Sequence, residues 1–202
     1  MLVSTARVGT SPGSRVRRYD PERRLRIVES ALEVIEEHGI AALTFRAVAA
    51  AADVPLGSTT YHFVDKDELL EATVRLARER SRDTARVILA DAVGRLGLSG
   101  GIAHLVEELT YHRHDRLVLE HDLYLAAIHR PSLRAESRRW SDDFAEIVGE
   151  YTDPLTGRTV GLLFDGLCLR AAVLDHRFRA ADVEPLVHRL LQGMRLADRG
   201  IT

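Results

Sequence analysis

The stretch TFRAVAAAADVPLGSTTYHFVDKDELL, Thr44 to Leu70, decides how the chain is read. Thr44 is suited to cap a short helix, its side-chain oxygen accepting a backbone N–H that the first turn leaves orphaned. Ala47, Val48 and Ala51 then fall on the inner side of that helix. Asp53 stands where the chain must turn sharply, and Asp tolerates the left-handed backbone region better than most residues. Pro55 opens a second short helix that runs to about Phe63. Asp65 and Glu68 have the spacing of a capping box, with Asp in the Ser/Thr position, and begin a long helix. A short helix, a tight turn and another short helix form the unit whose second helix enters the major groove of DNA while the first crosses its backbone.

The side chains suit that task. Gly57 lets the start of the second helix approach a phosphate or base edge closely. Ser58, Thr59 and Thr60 carry short hydroxyls able to bond phosphate oxygens or base edges. Tyr61 and His62 have flat bodies with polar tips, while Phe63 reads as packing. Lys66 is the only lysine among 28 basic residues. Its point charge stands beside the exposed N–H groups of a helix start, which together make a phosphate site.

Upstream, Val28, Ala31, Leu32 and Ile35 recur at helical spacing after an Asp20-Pro21 start, and Gly39 is placed to end that helix in a left-handed cap. Residues 1–19 are rich in Ser, Gly, Thr and Arg and read as a mobile arm. The overall charge of −2 conceals an asymmetry, because residues 1–26 hold seven arginines against Asp20 and Glu22. Such a basic end fits either a polyanion or a solubilising tail.

These residues carry a resemblance. RIVESALEVIEEHGIAALTFRAVAAAADVPLGSTTYHFVDKDELL, within residues 22–70, is similar to the N-terminal domain of the TetR/AcrR family of bacterial regulators. The shared features are Glu37–Gly39, Thr44, Val54–Gly57, Tyr61–Phe63, Lys66 and Leu69. Two positions depart from the family pattern. Asp53 replaces a usual Gly, and Thr60 stands where an aromatic is commoner. The resemblance implies DNA contacts from Thr44, Arg46, Gly57, Ser58, Thr60, Tyr61, His62 and Lys66. In that setting Arg15, Arg17 and Arg18 of the arm suit a neighbouring minor groove.

Beyond residue 80 every segment reads helical, with breaks at Gly97–Gly101, Pro131 and Asp153-Pro154, and no stretch shows sustained strand alternation. The expected fold is all-α: an arm over 1–19, a three-helix helix-turn-helix DNA-binding head over 20–66, and a larger C-terminal ligand-binding and dimerisation domain over 67–202. The 46% apolar content suits a soluble core. A single cysteine, Cys168, excludes an internal disulfide and fits a reducing compartment. No apolar run approaches a membrane span, and no signal peptide is legible, so a cytoplasmic protein without membrane attachment is expected.

The resemblance further implies a homodimer on a palindromic operator, released by a small-molecule effector as a repressor would be. Gly157, Gly161 and Gly166 invite close approach of another backbone, and each costs about 1 kcal/mol within a helix relative to Ala. With Leu162, Leu169, Leu186 and Leu190 they are the candidate dimer interface. Tyr111, His112, Tyr124, Trp140, Phe144 and Phe164 are the candidate effector contacts, chosen as large amphipathic side chains. His104, Glu108 and His112 share a helical face, but one stripe does not make convergent metal ligands, and neither metal nor cofactor is expected. Two other readings stay open. One is a constitutive DNA-binding dimer without effector. The other is an all-helical metal-dependent phosphohydrolase, suggested by the pairs His114-Asp115 and His121-Asp122, although its further ligands cannot be assigned. No phosphate-binding loop or serine elbow is present, and Cys168 reads as a small buried hydrophobe rather than a nucleophile.

Overall fold

A computed structural model describes residues 22–198, and among them the regular structure is helical throughout, without a strand. Arg15, Arg17, Arg18 and the helix start at Asp20-Pro21 lie outside the described residues. Helix α1, Arg23–His38, buries the expected stripe of Val28, Ala31, Leu32 and Ile35 together with Ile27. It stops at Gly39, whose N–H donates to the Ile35 carbonyl at 2.8 Å. Gly39 has φ 78° but ψ 168°, so the cap needs a positive φ without being left-handed helical.

Helix α2, Phe45–Ala51, is capped as expected: the Ala47 N–H donates to Thr44 Oγ1 at 3.1 Å. Its buried side is Val48 and Ala49, continued by Ala52, while Ala51 faces solvent. A seven-residue helix has room for one narrow stripe, and Val48 sets its direction. Asp53 makes the turn at φ 50°, and α3 follows over Leu56–His62. Phe63, 1% exposed, closes the head core against Leu32, Val48 and Leu69.

Helix α4, Lys66–Glu107, begins at the Asp65 cap, where the Glu68 N–H donates to Asp65 Oδ1 at 2.8 Å. The Glu68 carboxylate in turn accepts from the Val64 N–H at 2.7 Å, one residue earlier than an ordinary capping box. No Gly or Pro interrupts the chain near residue 80, and the helix begun at Lys66 runs on to Gly97. Gly97, at φ 72° and ψ 176°, breaks α4 into two segments. They double back closely, for a Cβ on Gly101 would lie 3.0 Å from the Val93 backbone nitrogen. A π-helical turn, Glu108–His112, leads into α5, His114–Leu125. Then follow α6, Arg134–Gly149; α7, Pro154–Leu174, capped by Asp153 and ended by Asp175 at φ 53°; and α8, Ala180–Asp198.

Two cores result. The head core unites α1, α2 and Phe63, which follows α3, with Leu69, Leu70, Ala72, Val74 and Ala77 of α4, and it also takes in Leu123 of α5 and Leu133. The second joins the far part of α4 to α6, α7 and α8. Between them α4 is clamped to α6 by buried charges. Glu136, 1% exposed, accepts from Arg75 Nε at 3.0 Å and from Arg139 Nη1 at 2.7 Å, and lies 3.3 Å from Arg78 Nε. Arg78 Nη1 also donates to Asp143 at 2.8 Å.

Two glycines of the candidate dimer interface serve a contact inside the subunit. A Cβ on Gly157 would fall 2.5 Å from the Ala145 carbonyl oxygen, and one on Gly161 would meet the Ala145 Cβ at 3.1 Å. The close approach read from the sequence exists, but to α6 of the same chain. Gly157→Ala is therefore expected to cost about 3 kcal/mol, because backbone must move to admit the methyl. Gly94→Ala, within α4 and with open space around its Cβ position, is the control, and chemical denaturation compares the two.

Candidate DNA-binding face and ligand cavity

The head presents one polar face. Arg46, Gly57, Thr60, Tyr61 and Lys66 are exposed, Tyr61 at 83%, and Ser58 and His62 are half-buried beside them. Thr44 is exposed too, although its hydroxyl is engaged as the α2 cap. Thr59 is turned inward, fully buried, with its hydroxyl donating to the Leu56 carbonyl at 2.7 Å. Of the three-hydroxyl run, only Ser58 and Thr60 remain on the open side, since a helix of 100° per residue cannot show three consecutive side chains on one face. The Tyr61 ring meets His62 edge-on at 5.1 Å, which limits the freedom of both. Arg24 lies over the buried Phe63 ring at 4.7 Å, tying α1 to the end of α3. Val64, 90% exposed next to this face, carried no sequence signal beyond its place after Phe63.

The second domain encloses a cavity of about 190 Å³ between α4, α5, α6 and α7. Four of the six candidate effector contacts line it: Tyr124, Trp140, Phe144 and Phe164. Phe144 and Phe164 stack with centroids 3.8 Å apart and planes 23° apart. Trp140 also packs against the head core, so the cavity and the head share a side chain. Tyr111 and His112 are exposed and do not line the cavity. They sit in the π-helical turn, where the extra residue rotates them outward, and Arg179 covers the Tyr111 ring at 4.1 Å.

Charge is the feature that aromatic content could not reveal. Glu120, Asp143 and Asp165 line the cavity against Arg82. Asp143 is spent on Arg78 and Arg82. Asp165 has a hydrogen bond from Ser141 Oγ at 2.9 Å, and no ion pair among the described residues. Burial lifts its carboxyl above the usual carboxylate range against that hydrogen bond, with Asp142 adding to the rise. Glu120 is also raised by burial, opposed by hydrogen bonds from Arg116 and Ser81. Burial lowers His121, opposed by the hydrogen bond that its Nδ1–H donates to the Leu117 carbonyl at 2.9 Å. Cys168 also lines the cavity, its thiol pushed well above the ordinary thiol range by burial, which keeps it protonated and inert.

Sequence reasoning missed these acids, although a signal existed. Leu117, Glu120, His121 and Tyr124 follow i, i+3, i+4, i+7, which places a carboxylate on an otherwise inward stripe. The histidine stripe does not converge: among the described residues no group of three or more His, Cys, Asp or Glu is placed to hold a metal ion.

The remaining interface candidates divide. Leu162, 73% exposed, and Leu169 lie on an outward stripe of α7 with Leu155, Gly166 and Val173, and Leu186 of α8 is exposed as well. Leu190 instead packs into the second core. No helix among the described residues is long and apolar enough to cross a membrane.

Comparison with known proteins matches both halves of this arrangement. The sequence profile described as "Bacterial regulatory proteins, tetR family" matches residues 27–73. That described as "Tetracyclin repressor-like, C-terminal domain" matches residues 93–193. The HTH-type transcriptional regulator BetI of Cronobacter sakazakii is 27% identical over 186 residues, covering 85% of this chain and 90% of that protein. Among solved structures, the multidrug binding protein EbrR complexed with proflavin is 37% identical with a TM-score of 0.73, covering 84% of this chain and 99% of that one. The EbrR complex with malachite green is 38% identical at a TM-score of 0.67, with coverage of 84% and 98%. A TetR-family member from Streptomyces coelicolor, SCO1917, is 38% identical at a TM-score of 0.70, again covering 84% and 98%.

Proposed function

The chain belongs to the TetR family of bacterial regulatory proteins, and on that premise we propose that it is a homodimeric repressor whose cavity takes a flat or propeller-shaped aromatic cation. The observation that carries the ligand class is Asp165, a carboxylate beside the Phe144–Phe164 stack with no ion pair among the described residues. A cation entering there gains a charge partner and ring faces together. Proflavin and malachite green, seen in EbrR, are cations of this kind.

The outward stripe of Leu155, Leu162, Leu169 and Val173 on α7, joined by Leu186, is the surface a second copy would cover. A two-fold pair of heads would set two recognition helices one DNA turn apart, on a near-palindromic site. Thr44, Arg46, Gly57, Ser58, Thr60, Tyr61, His62 and Lys66 are the proposed contacts in each head.

The test has two parts. An operator duplex selected in vitro should bind the dimer, and saturating malachite green should weaken that binding by roughly 5- to 150-fold. Unchanged affinity at saturating dye would remove the repressor reading and leave a constitutive binder. Lys66→Ala should weaken binding to all duplexes alike and flatten the salt slope by about one unit, as loss of one phosphate contact does. A change confined to one base position would instead assign Lys66 to base reading.

A further inference from the structure

The cavity acid Glu120 is not free to meet a cation, because it already holds one. Its Oε1 accepts from Arg116 Nε at 2.9 Å, one turn earlier on α5, and its Oε2 accepts from Ser81 Oγ of α4 at 2.9 Å. The same guanidinium leaves the cavity wall on its other side, where Arg116 Nη1 donates to Glu36 of α1. Arg116 thus stands between a carboxylate of the cavity and a carboxylate of the DNA-binding head. Helix α1 is also tied to α4 by Arg80, which donates to Glu29 at 2.6 Å, and by Arg24, 3.9 Å from Glu68. Neither of those pairs includes a residue lining the aromatic cavity. The Arg116 tether differs from them in sharing a carboxylate, Glu120, with the ligand's site.

We propose that Arg116 is a built-in counter-cation of the cavity, displaced from Glu120 by the ligand's own charge, and that this displacement is what loosens the α5 hold on α1. This rests on the reading of the cavity as a cation site. A ligand cation that engages Glu120 is a competitor for the carboxylate and a like charge close to the guanidinium. Both effects weaken the Glu120–Arg116 pair in a place where burial makes pairing matter. Without Glu120 to orient it, the Arg116 guanidinium holds Glu36 less firmly, and the tie between α5 and α1 slackens. The head core, built on the neighbouring Ile35 and Leu32, then turns with α1. The coupling is reciprocal: operator binding, by holding α1 in place, keeps Glu120 occupied and lowers cation affinity by the same factor. Arg116 is a positioning residue here and touches neither DNA nor ligand.

Two variants separate this relay from simple packing. Arg116→Met keeps the apolar stem and removes the charge, while Glu36→Gln leaves the cavity wall intact and cuts only the head side. Full-length protein is titrated with malachite green, then with operator duplex in the absence and presence of saturating dye. Malachite green serves better than an intercalating dye, which would bind the duplex itself. In both variants operator affinity without dye should already be lowered toward that of the dye-bound parent, and saturating dye should weaken it further by less than about 3-fold. Arg116→Met should bind dye as tightly as the parent or more tightly, since Glu120 has lost its competitor. A structural role alone would lower both affinities together and leave their ratio unchanged. Parent-like release in either variant overturns the relay while leaving the cation site standing. A parent protein that binds dye without releasing operator, or binds none, overturns the functional reading and the relay with it. Glu36 is at the surface, so its variant remains interpretable if Arg116→Met fails to fold.

Discussion

Replacing Asp165 by asparagine is expected to weaken proflavin binding by roughly 10- to 100-fold, the worth of a charge-assisted contact in a partly desolvated site, while making the unliganded protein more stable. Both halves follow from one fact. Asp165 is half-buried beside the aromatic stack, with a hydrogen bond from Ser141, and partial burial raises its carboxyl above the usual carboxylate range. A raised acid favours the protonated form in the folded state. Its contribution to stability is greatest below the unfolded value and is lost as pH rises through the folded one. At neutral pH the ionised carboxylate therefore costs the empty protein stability, and a neutral isostere removes that cost. The ligand needs the opposite state. Proflavin affinity in the parent should fall on acidification at a pH above the ordinary carboxylate range, and the fall should be shallower in Asp165→Asn, where Glu120 is the remaining raised acid. Isothermal titration across pH, with thermal melting of the apo forms, checks both. A variant that keeps parent affinity would remove Asp165 from the site.

Glu136→Ala is expected to destabilise the protein by about 3–5 kcal/mol, the usual loss when one member of a buried ion pair is removed. Glu136 is the shared ion-pair partner of Arg75, Arg78 and Arg139, and Arg78 is itself nearly buried. Without Glu136, Arg78 keeps Asp143, which also serves Arg82, so the α4–α6 clamp is left with an excess of positive charge. With total stabilities of about 5–15 kcal/mol, such a loss should lower Tm by roughly 10 °C. Melting at fixed protein concentration is the measurement, since dimerisation makes Tm depend on concentration. Glu136→Gln, which retains an acceptor, should lose less. Equal Tm for Glu136→Ala and the parent would mean that desolvation already cancels the attraction within the clamp.

The clamp and the cavity were the parts hardest to read beforehand. Arg75, Arg78 and Arg82 look from their sequence like the solvated face of a long helix, and Glu136 like its counterpart on another. Nothing local says that the two faces meet 61 and 65 residues apart, at Glu136 and Asp143. The head was legible for the contrary reason. Thr44 bonds Ala47 three residues on, Asp65 bonds Glu68 three residues on, and Asp53 turns the chain within its own peptide units. Those are contacts a sequence spells out by spacing. Thr59 shows the limit even there: read with Ser58 and Thr60 as a hydroxyl for phosphate or base, it is turned inward onto the Leu56 carbonyl, because its direction depends on how α3 lies against the core.

The amino-acid sequence by itself determined the helices, their caps and breaks, and the DNA-binding head with its exposed Arg46, Tyr61 and Lys66. It also supplied the aromatic side chains of the cavity, four of which lie where residue type suggested. Tertiary structure alone decided that Gly157 and Gly161 admit α6 rather than a second subunit, and that Tyr111 and His112 turn outward. It alone set Glu120 and Asp165 beside the stacked rings. The physical reason is that periodicity tells which way a side chain points from its own helix axis, within a few residues. What it meets there depends on a second helix, placed by the summed packing of the whole chain.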